Sequence, residues 1–301
     1  MERREFIKGS VVGTVAMGVG WMRDHDAVGE ESEQPASEAE LKLGSQESRI
    51  PGASLREKVL KIEEWGGVGL ELHGSPRDRI QEIQEAIQGT SVEVSALCWG
   101  SMNGDLVSMD QEKRATGIAA MKEALSVAGE LRSSGVIFVP CFHKQSELTP
   151  EELDQVLLDI LPELGEHAQA CGTRVLLEPL NRMETFYINR LEQAVAICEQ
   201  VNHPGIRMMG DFYHMGIEEK DDEAAFVEAG PWLHHVHLAS KKRFLPGQDE
   251  RSFVEGFRGL KRVGYKDHCS LECGVRKGTD PEEEIPKAFR FLMEQWRQAV
   301  I

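Results

Sequence analysis

The 301-residue chain carries 51 acidic against 34 basic side chains, a formal net charge of −17. Such a balance lacks the basic stripe that a nucleic-acid partner or an anionic membrane surface would need. With 41% hydrophobic and 28% charged residues it has the composition of a soluble globular protein, long enough for one large domain or two small ones.

At the start, "RREFIKG" (residues 3–9) precedes a weakly apolar, Gly-rich run too short to span a bilayer comfortably. Residues 1–23 resemble a twin-arginine export signal, with Arg3 and Arg4 as the pair. That resemblance implies a periplasmic destination, with a membrane tether if the signal is left uncleaved. Residues 24–40 hold seven acids and no Lys or Arg, a composition that cannot bury a core and reads as a disordered linker. The folded domain is therefore expected over 41–301. Its six cysteines occur singly, without zinc-finger or C-x-x-C spacing, and read as buried thiols.

From residue 41, short β-type runs alternate with longer amphipathic ones. The strands are expected at 40–45, 67–73, 92–99, 135–142, 173–179, 206–212, 233–239 and 268–273. Between them lie helix signatures such as residues 149–172, with Thr149 as N-cap, Pro150 in the first turn and Gly172 as the stop. Eight strands alternating with helices over about 260 residues predict an α/β fold, a (β/α)8 barrel. An open doubly wound sheet is the alternative, weakened because no Gly-rich dinucleotide fingerprint follows the first strand.

In such a barrel, polar residues at the C-terminal ends of strands are where chemistry belongs. Those ends read His73, Trp99, His143, Glu178, Asp211, His237 and Glu272. A single strand-end acid is usually a loop residue, and His234, His235 and His237 could each be packed imidazoles. Four candidates at equivalent places on consecutive strands, Glu178, Asp211, His237 and Glu272, form a pattern instead. Three carboxylates converging without a cation would push at least one toward protonation. With one imidazole they make an oxygen-rich donor set that suits Mn²⁺, Mg²⁺ or Co²⁺ better than structural Zn²⁺.

The motifs "LLEPLNRMET", "GDFYHM", "HHVHLA", "PGQ" (246–248) and "SLEC" stand in an order and spacing similar to the sugar isomerase/epimerase superfamily of xylose-isomerase-like barrels. The chain resembles ketose 3-epimerases and hydroxypyruvate isomerases from about residue 41 to its end. The resemblance implies that Glu178, Asp211, His237 and Glu272 bind one divalent ion, Mn²⁺ foremost with Mg²⁺, Co²⁺ or Zn²⁺ as alternatives. It further implies that Glu178 and Glu272 are the acid/base pair, and that Glu184, His214 and Arg243 contact substrate. His143, His73 and Trp99 are weaker carry-overs to the same pocket, and Asn181 lines it beside Glu184.

The expected activity is a metal-dependent sugar isomerase or epimerase that removes a proton next to a carbonyl through an enediolate. A 3-keto-glycoside lyase or hydratase on the same site is one alternative. A non-catalytic sugar-binding protein on the same scaffold is another. A phosphodiesterase of the endonuclease type, which shares the barrel, would need a basic groove. The expected partner is a small sugar or keto-sugar, and the resemblance is compatible with a homo-oligomer.

Overall fold

Continuous apolar runs bounded by turn residues are what strands buried on both faces require. In the computed structural model, which describes residues 39–301, they become eight strands. These are β1 (Lys42–Gln46), β2 (Gly69–His73), β3 (Glu93–Gly100), β4 (Val136–Phe138), β5 (Val175–Leu177), β6 (Ile206–Asp211), β7 (Leu233–Leu238) and β8 (His268–Leu271). Every pairing is parallel, each strand bonds to the next, and β8 bonds to β1, which closes the barrel. The helices between them are α1 (Leu55–Glu64), α2 (Ile80–Ile87), α3 (Gln111–Glu130), α4 (Pro150–Ala170), α5 (Leu191–Val201), α6 (Phe212–Glu218), α7 (Asp222–Ala229), α8 (Val254–Arg262) and α9 (Pro281–Gln298). The proposed export signal and nearly all of the acidic linker lie outside the described residues. Among the described residues no helix is long and apolar enough to cross a membrane.

Helix α4 shows how directly local sequence sets an element. The Thr149 hydroxyl accepts from the Glu152 amide while the Glu152 carboxylate accepts from the Thr149 amide, a reciprocal capping box. Leu153, Val156, Leu157, Ile160, Leu161, Leu164 and Ala168 then recur at spacings of three and four and are all buried. Gly172, at φ +75°, follows the helix end, as expected.

Two strands are shortened most against their apolar runs. β4 stops at Phe138 and β5 at Leu177, in each case two residues before a proline that cannot donate to the ladder (Pro140 and Pro179). His143 consequently falls in the loop after β4, five residues past the strand end, and not on the strand. β1 runs one residue further than expected, to Gln46.

The barrel interior is lopsided. Ala96, Ile137, Leu176 and Met209, from the consecutive strands β3 to β6, form an apolar cluster of their own, separate from the larger core beneath the helices. From β7, β8, β1 and β2 come instead the buried polar side chains His235, His237, Ser270, Gln46 and Glu71. Glycines make room on that side. A Cβ on Gly44 would stand 2.6 Å from the Gly69 carbonyl oxygen, and one on Gly69 would stand 2.9 Å from the ring of His268. All six cysteines are free thiols, with Cys98 and Cys171 half-buried and the other four buried.

Candidate functional site

Four strand ends on one arc of the barrel bring their polar residues to one point. Asp211 ends β6 and pairs in register with His237 of β7. Glu178 follows β5 directly, its amide donating to the Phe138 carbonyl. Glu272 follows β8, its amide donating to the Leu238 carbonyl. One donor atom from each of Glu178, Asp211, His237 and Glu272 lies within 4.8 Å of the other three. His237 Nδ1 is 3.2 Å from Glu272 Oε2 and 3.7 Å from Glu178 Oε1. Glu178, Asp211 and His237 are buried, and the Glu272 side chain is 14% exposed.

The donor set fits a divalent cation on two counts. Three carboxylates and one imidazole form an oxygen-rich cage. Two of its buried atoms, Asp211 Oδ2 and His237 Nδ1, have no hydrogen-bond partner within the protein, and buried polar atoms rarely stay unpartnered. The other Asp211 oxygen is occupied, accepting from the Tyr213 amide at 2.7 Å at the start of α6.

Crowding separates the acids. Burial raises Asp211 to about 7, helped by the charge of Glu272 and opposed by His237 and Arg243. Burial likewise raises Glu178, against the pull of His237. Burial would also raise Glu272, but His237 and Arg243 together overcome it and hold that carboxyl down to about 2. For His237 burial opposes charge, and the surrounding Glu71, Glu272 and Glu178 win, raising it well above the ordinary histidine value.

A second ring of side chains surrounds the four. Arg243 lies 4.8 Å over the Tyr213 ring and donates to Glu272 Oε2 at 2.6 Å, while its other terminal nitrogen is 3.4 Å from Glu184 Oε1. His214 Nδ1 accepts from the Asn181 backbone amide at 3.1 Å, with the Asn181 side-chain nitrogen 2.7 Å away. His214 Nε2 sits 3.4 Å from Asp211 Oδ2 and 3.2 Å from Arg243 Nη1, a group that can only donate. Burial and the nearby Arg243 lower His214 to about 3, so it is a neutral imidazole facing the cluster. Asn181 also donates to Glu184 Oε1 at 3.0 Å, which ties the loop after β5 into this ring.

Three sequence candidates sit apart from the four. His73, exposed at the end of β2, bonds through Nε2 to Ser48 at 3.2 Å. Trp99 is half-buried with its ring edge-on to Phe138. His143 is exposed, its Nε2 3.0 Å from the Arg182 carbonyl and its ring stacked on Phe186, while its amide donates to the Glu184 carbonyl. It clasps the loop that carries Glu184. Between the loops after β3 and β4 opens a cleft of about 600 Å³ lined by Ser108, Met109, Lys113, Lys144 and Glu147, among others.

Sequence reasoning passed over three residues that touch the cluster from below. Glu71, in mid-β2, accepts from His237 Nε2 at 2.9 Å and from His235 Nε2 at 2.8 Å. Gln46 of β1 donates to both Glu71 and Glu272. The signal was present as alternation: Glu71 stands between Leu70 and Leu72, and His235 lies two residues before His237, so each pair shares a strand face.

A family model described as a xylose isomerase-like TIM barrel matches residues 59–295. The 3-dehydro-D-guloside 4-epimerase of Escherichia coli is 30% identical over 262 residues, covering 84% of this chain and 99% of its own. A D-psicose 3-epimerase from Ruminiclostridium cellulolyticum is 36% identical over 116 residues, 38% of this chain and 40% of that one. Among solved structures, the 3-keto-D-glucoside 4-epimerase from E. coli superposes with a TM-score of 0.77 at 26% identity, covering 85% of this chain and 100% of that one.

Proposed function

Because the chain belongs to the xylose isomerase-like TIM barrel family, we propose that it is a divalent-metal-dependent sugar epimerase whose substrate is a keto-sugar, with a 3-keto-glycoside as the preferred class. The observation that carries the reading is the meeting of Glu178, Asp211, His237 and Glu272 around two partnerless buried atoms. The relatives named above, a guloside 4-epimerase and a ketose 3-epimerase, support the substrate class.

The four residues would hold the cation, and Mn²⁺ is the ion proposed for this oxygen-rich set. When bound, it supplies positive charge beside the adjacent oxygens of the substrate, where negative charge develops as the neighbouring C–H is broken. The remaining steps belong to the protein. Glu272, held ionised by His237 and Arg243, takes the proton from the carbon next to the ketone. Glu178, which carries the proton in this direction of the reaction, returns it to that same carbon from the other side and so inverts it. In the reverse direction the two exchange roles. The neutral His214, Arg243 and Glu184 orient the sugar hydroxyls.

Export by the twin-arginine route is part of the same proposal, supported by the Arg3–Arg4 motif, and it would put the enzyme where glycosides from polymer breakdown are met.

The test is proton exchange. Purified protein with Mn²⁺ is incubated in D₂O with free ketoses and with 3-keto-glycosides, and followed by NMR. Deuterium should enter the carbon next to the ketone, an epimer should accumulate, and Glu272→Gln should slow exchange by roughly 10²- to 10⁴-fold. Loss of a β-substituent in place of epimerisation would convert the assignment to a lyase. No exchange into any sugar by a protein that binds Mn²⁺ would overturn it.

A further inference from the structure

Glu71 is a fully buried carboxylate on β2 that the chemistry above does not use. With His235 and His237 it forms a second buried group of metal-ligating residues whose donor atoms lie within 4.8 Å of one another. Its hydrogen bonding differs in kind from that of the four strand-end residues. Oε2 accepts from His235 Nε2 at 2.8 Å and from His237 Nε2 at 2.9 Å, and Oε1 accepts from Gln46 Nε2 at 2.8 Å. Both oxygens are thus taken by N–H groups, and a cation there would have to displace them. Asp211 Oδ2 and His237 Nδ1 are the atoms left open.

We propose that Glu71 is the positioning residue of this site, setting the ring of His237 directly and the carboxylate of Glu272 through Gln46. The inference rests on the reading of the four strand-end residues as the cation's ligands. An imidazole can present either nitrogen, and the hydrogen bond made by one decides which is left to coordinate. With Nε2–H donating to Glu71, Nδ1 is the nitrogen that faces Glu272 and Glu178.

The same carboxylate reaches Glu272 by a second route. Gln46 and Glu71 are register partners across β1 and β2, and β1 also pairs with β8, which ends one residue before Glu272. The Gln46 amide nitrogen has two hydrogens. One goes to Glu71 Oε1 and the other to Glu272 Oε1 at 3.0 Å, leaving Glu272 Oε2 turned toward His237 and Arg243. The seam where the barrel closes, β8–β1–β2, therefore carries one continuous set of hydrogen bonds. It orients two proposed ligands together, His237 and Glu272, the second of which is also the proposed proton carrier.

Glu71→Gln tests this with nearly unchanged shape. An amide has one accepting and one donating end, whereas Glu71 receives N–H groups at both ends. Whichever way the new amide is turned, one N–H faces another. The variant is expected to keep its circular dichroism while its affinity for Mn²⁺ alone, read from the EPR signal of free ion, falls about 10- to 100-fold. In NMR of the metal-free protein, the His237 Nε2 proton should lie far downfield in the wild type and move upfield in the variant. Gln46→Leu separates the two arms. It should leave the His237 proton in place, yet lower kcat for deuterium exchange at saturating Mn²⁺ at least tenfold with KM unaltered.

Wild-type affinity and an unmoved His237 proton in Glu71→Gln would overturn the His237 arm and leave Glu71 a packed core carboxylate. Unaltered exchange in Gln46→Leu would overturn the Glu272 arm. Should Glu71→Gln not fold, the wild-type spectrum decides the His237 arm: a downfield Nε2 proton supports it and its absence overturns it. A wild type that takes up no Mn²⁺ would sink the proposed function, while the metal-free spectra still decide how His237 is held.

Discussion

Asp211 is the residue on which proton and cation compete. Burial and the adjacent Glu272 raise it to about 7 in the cation-free fold, although a ligand must present an ionised carboxylate. Below about pH 7, therefore, binding Mn²⁺ requires expelling this proton as well as the one held by His237, and the apparent affinity should fall by at least tenfold per pH unit. Above pH 7 the Asp211 contribution levels off. Calorimetric titrations in two buffers of different ionisation enthalpy would count the protons released. An affinity that stays flat from about pH 5.5 to 7 would contradict the assignment of Asp211. At the neighbouring position, neutral His214 depends on Asn181 to keep its Nδ1 occupied. Asn181→Leu removes the side-chain contact and leaves only the backbone amide. It also frees Glu184, so KM for the sugar should rise several-fold with Mn²⁺ affinity little changed, and an unaltered KM would show that neither His214 nor Glu184 depends on the Asn181 side chain for its place in the pocket.

At the scale of strands and helices, close backbone approach limits what the polar side of the barrel tolerates. Gly44→Ala would drive a methyl against the β2 backbone at the Gly44–Gly69 pair. Overpacking of this kind costs about 1–3 kcal/mol, so denaturant unfolding should show a clearly lower midpoint, and an unchanged one would mean that β1 shifts freely. Much of the element order was legible because it depends on local signals: the Thr149 capping box, apolar runs of strand length, and the prolines after β4 and β5. The strand-end acids were legible for the same reason, since Glu178 breaks an apolar run just before Pro179. Glu71 was not, because a polar residue alternating with leucines also describes a strand with one wet face. Only closure of the sheet on itself turns that face inward, and closure depends on the β8–β1 pairing between residues more than 200 positions apart. His143 was misplaced for the converse reason. Its apolar run continues past Pro140, where the ladder has already stopped.

For the molecule as a whole, a cation held by residues from β5 to β8 would bind the folded state and not the unfolded chain. At free Mn²⁺ 100-fold above Kd this linkage contributes about 2.7 kcal/mol. The melting temperature should accordingly rise by roughly 5 °C on adding Mn²⁺ and return on chelation, and a melting curve blind to both would argue against a closed cation site.

The four converging donors all come from strands in the second half of the chain, whereas the loops after β1 to β4 supply none of them. This splits the rim into a half that is chemically constrained and a half free to be re-cut. Transplanting the loops after β3 and β4 (residues 101–110 and 139–149) from a relative of different sugar preference should retool the enzyme toward that sugar. The proton-moving apparatus would pass to the chimaera intact, so new specificities on this scaffold can be reached by editing one arc of the mouth.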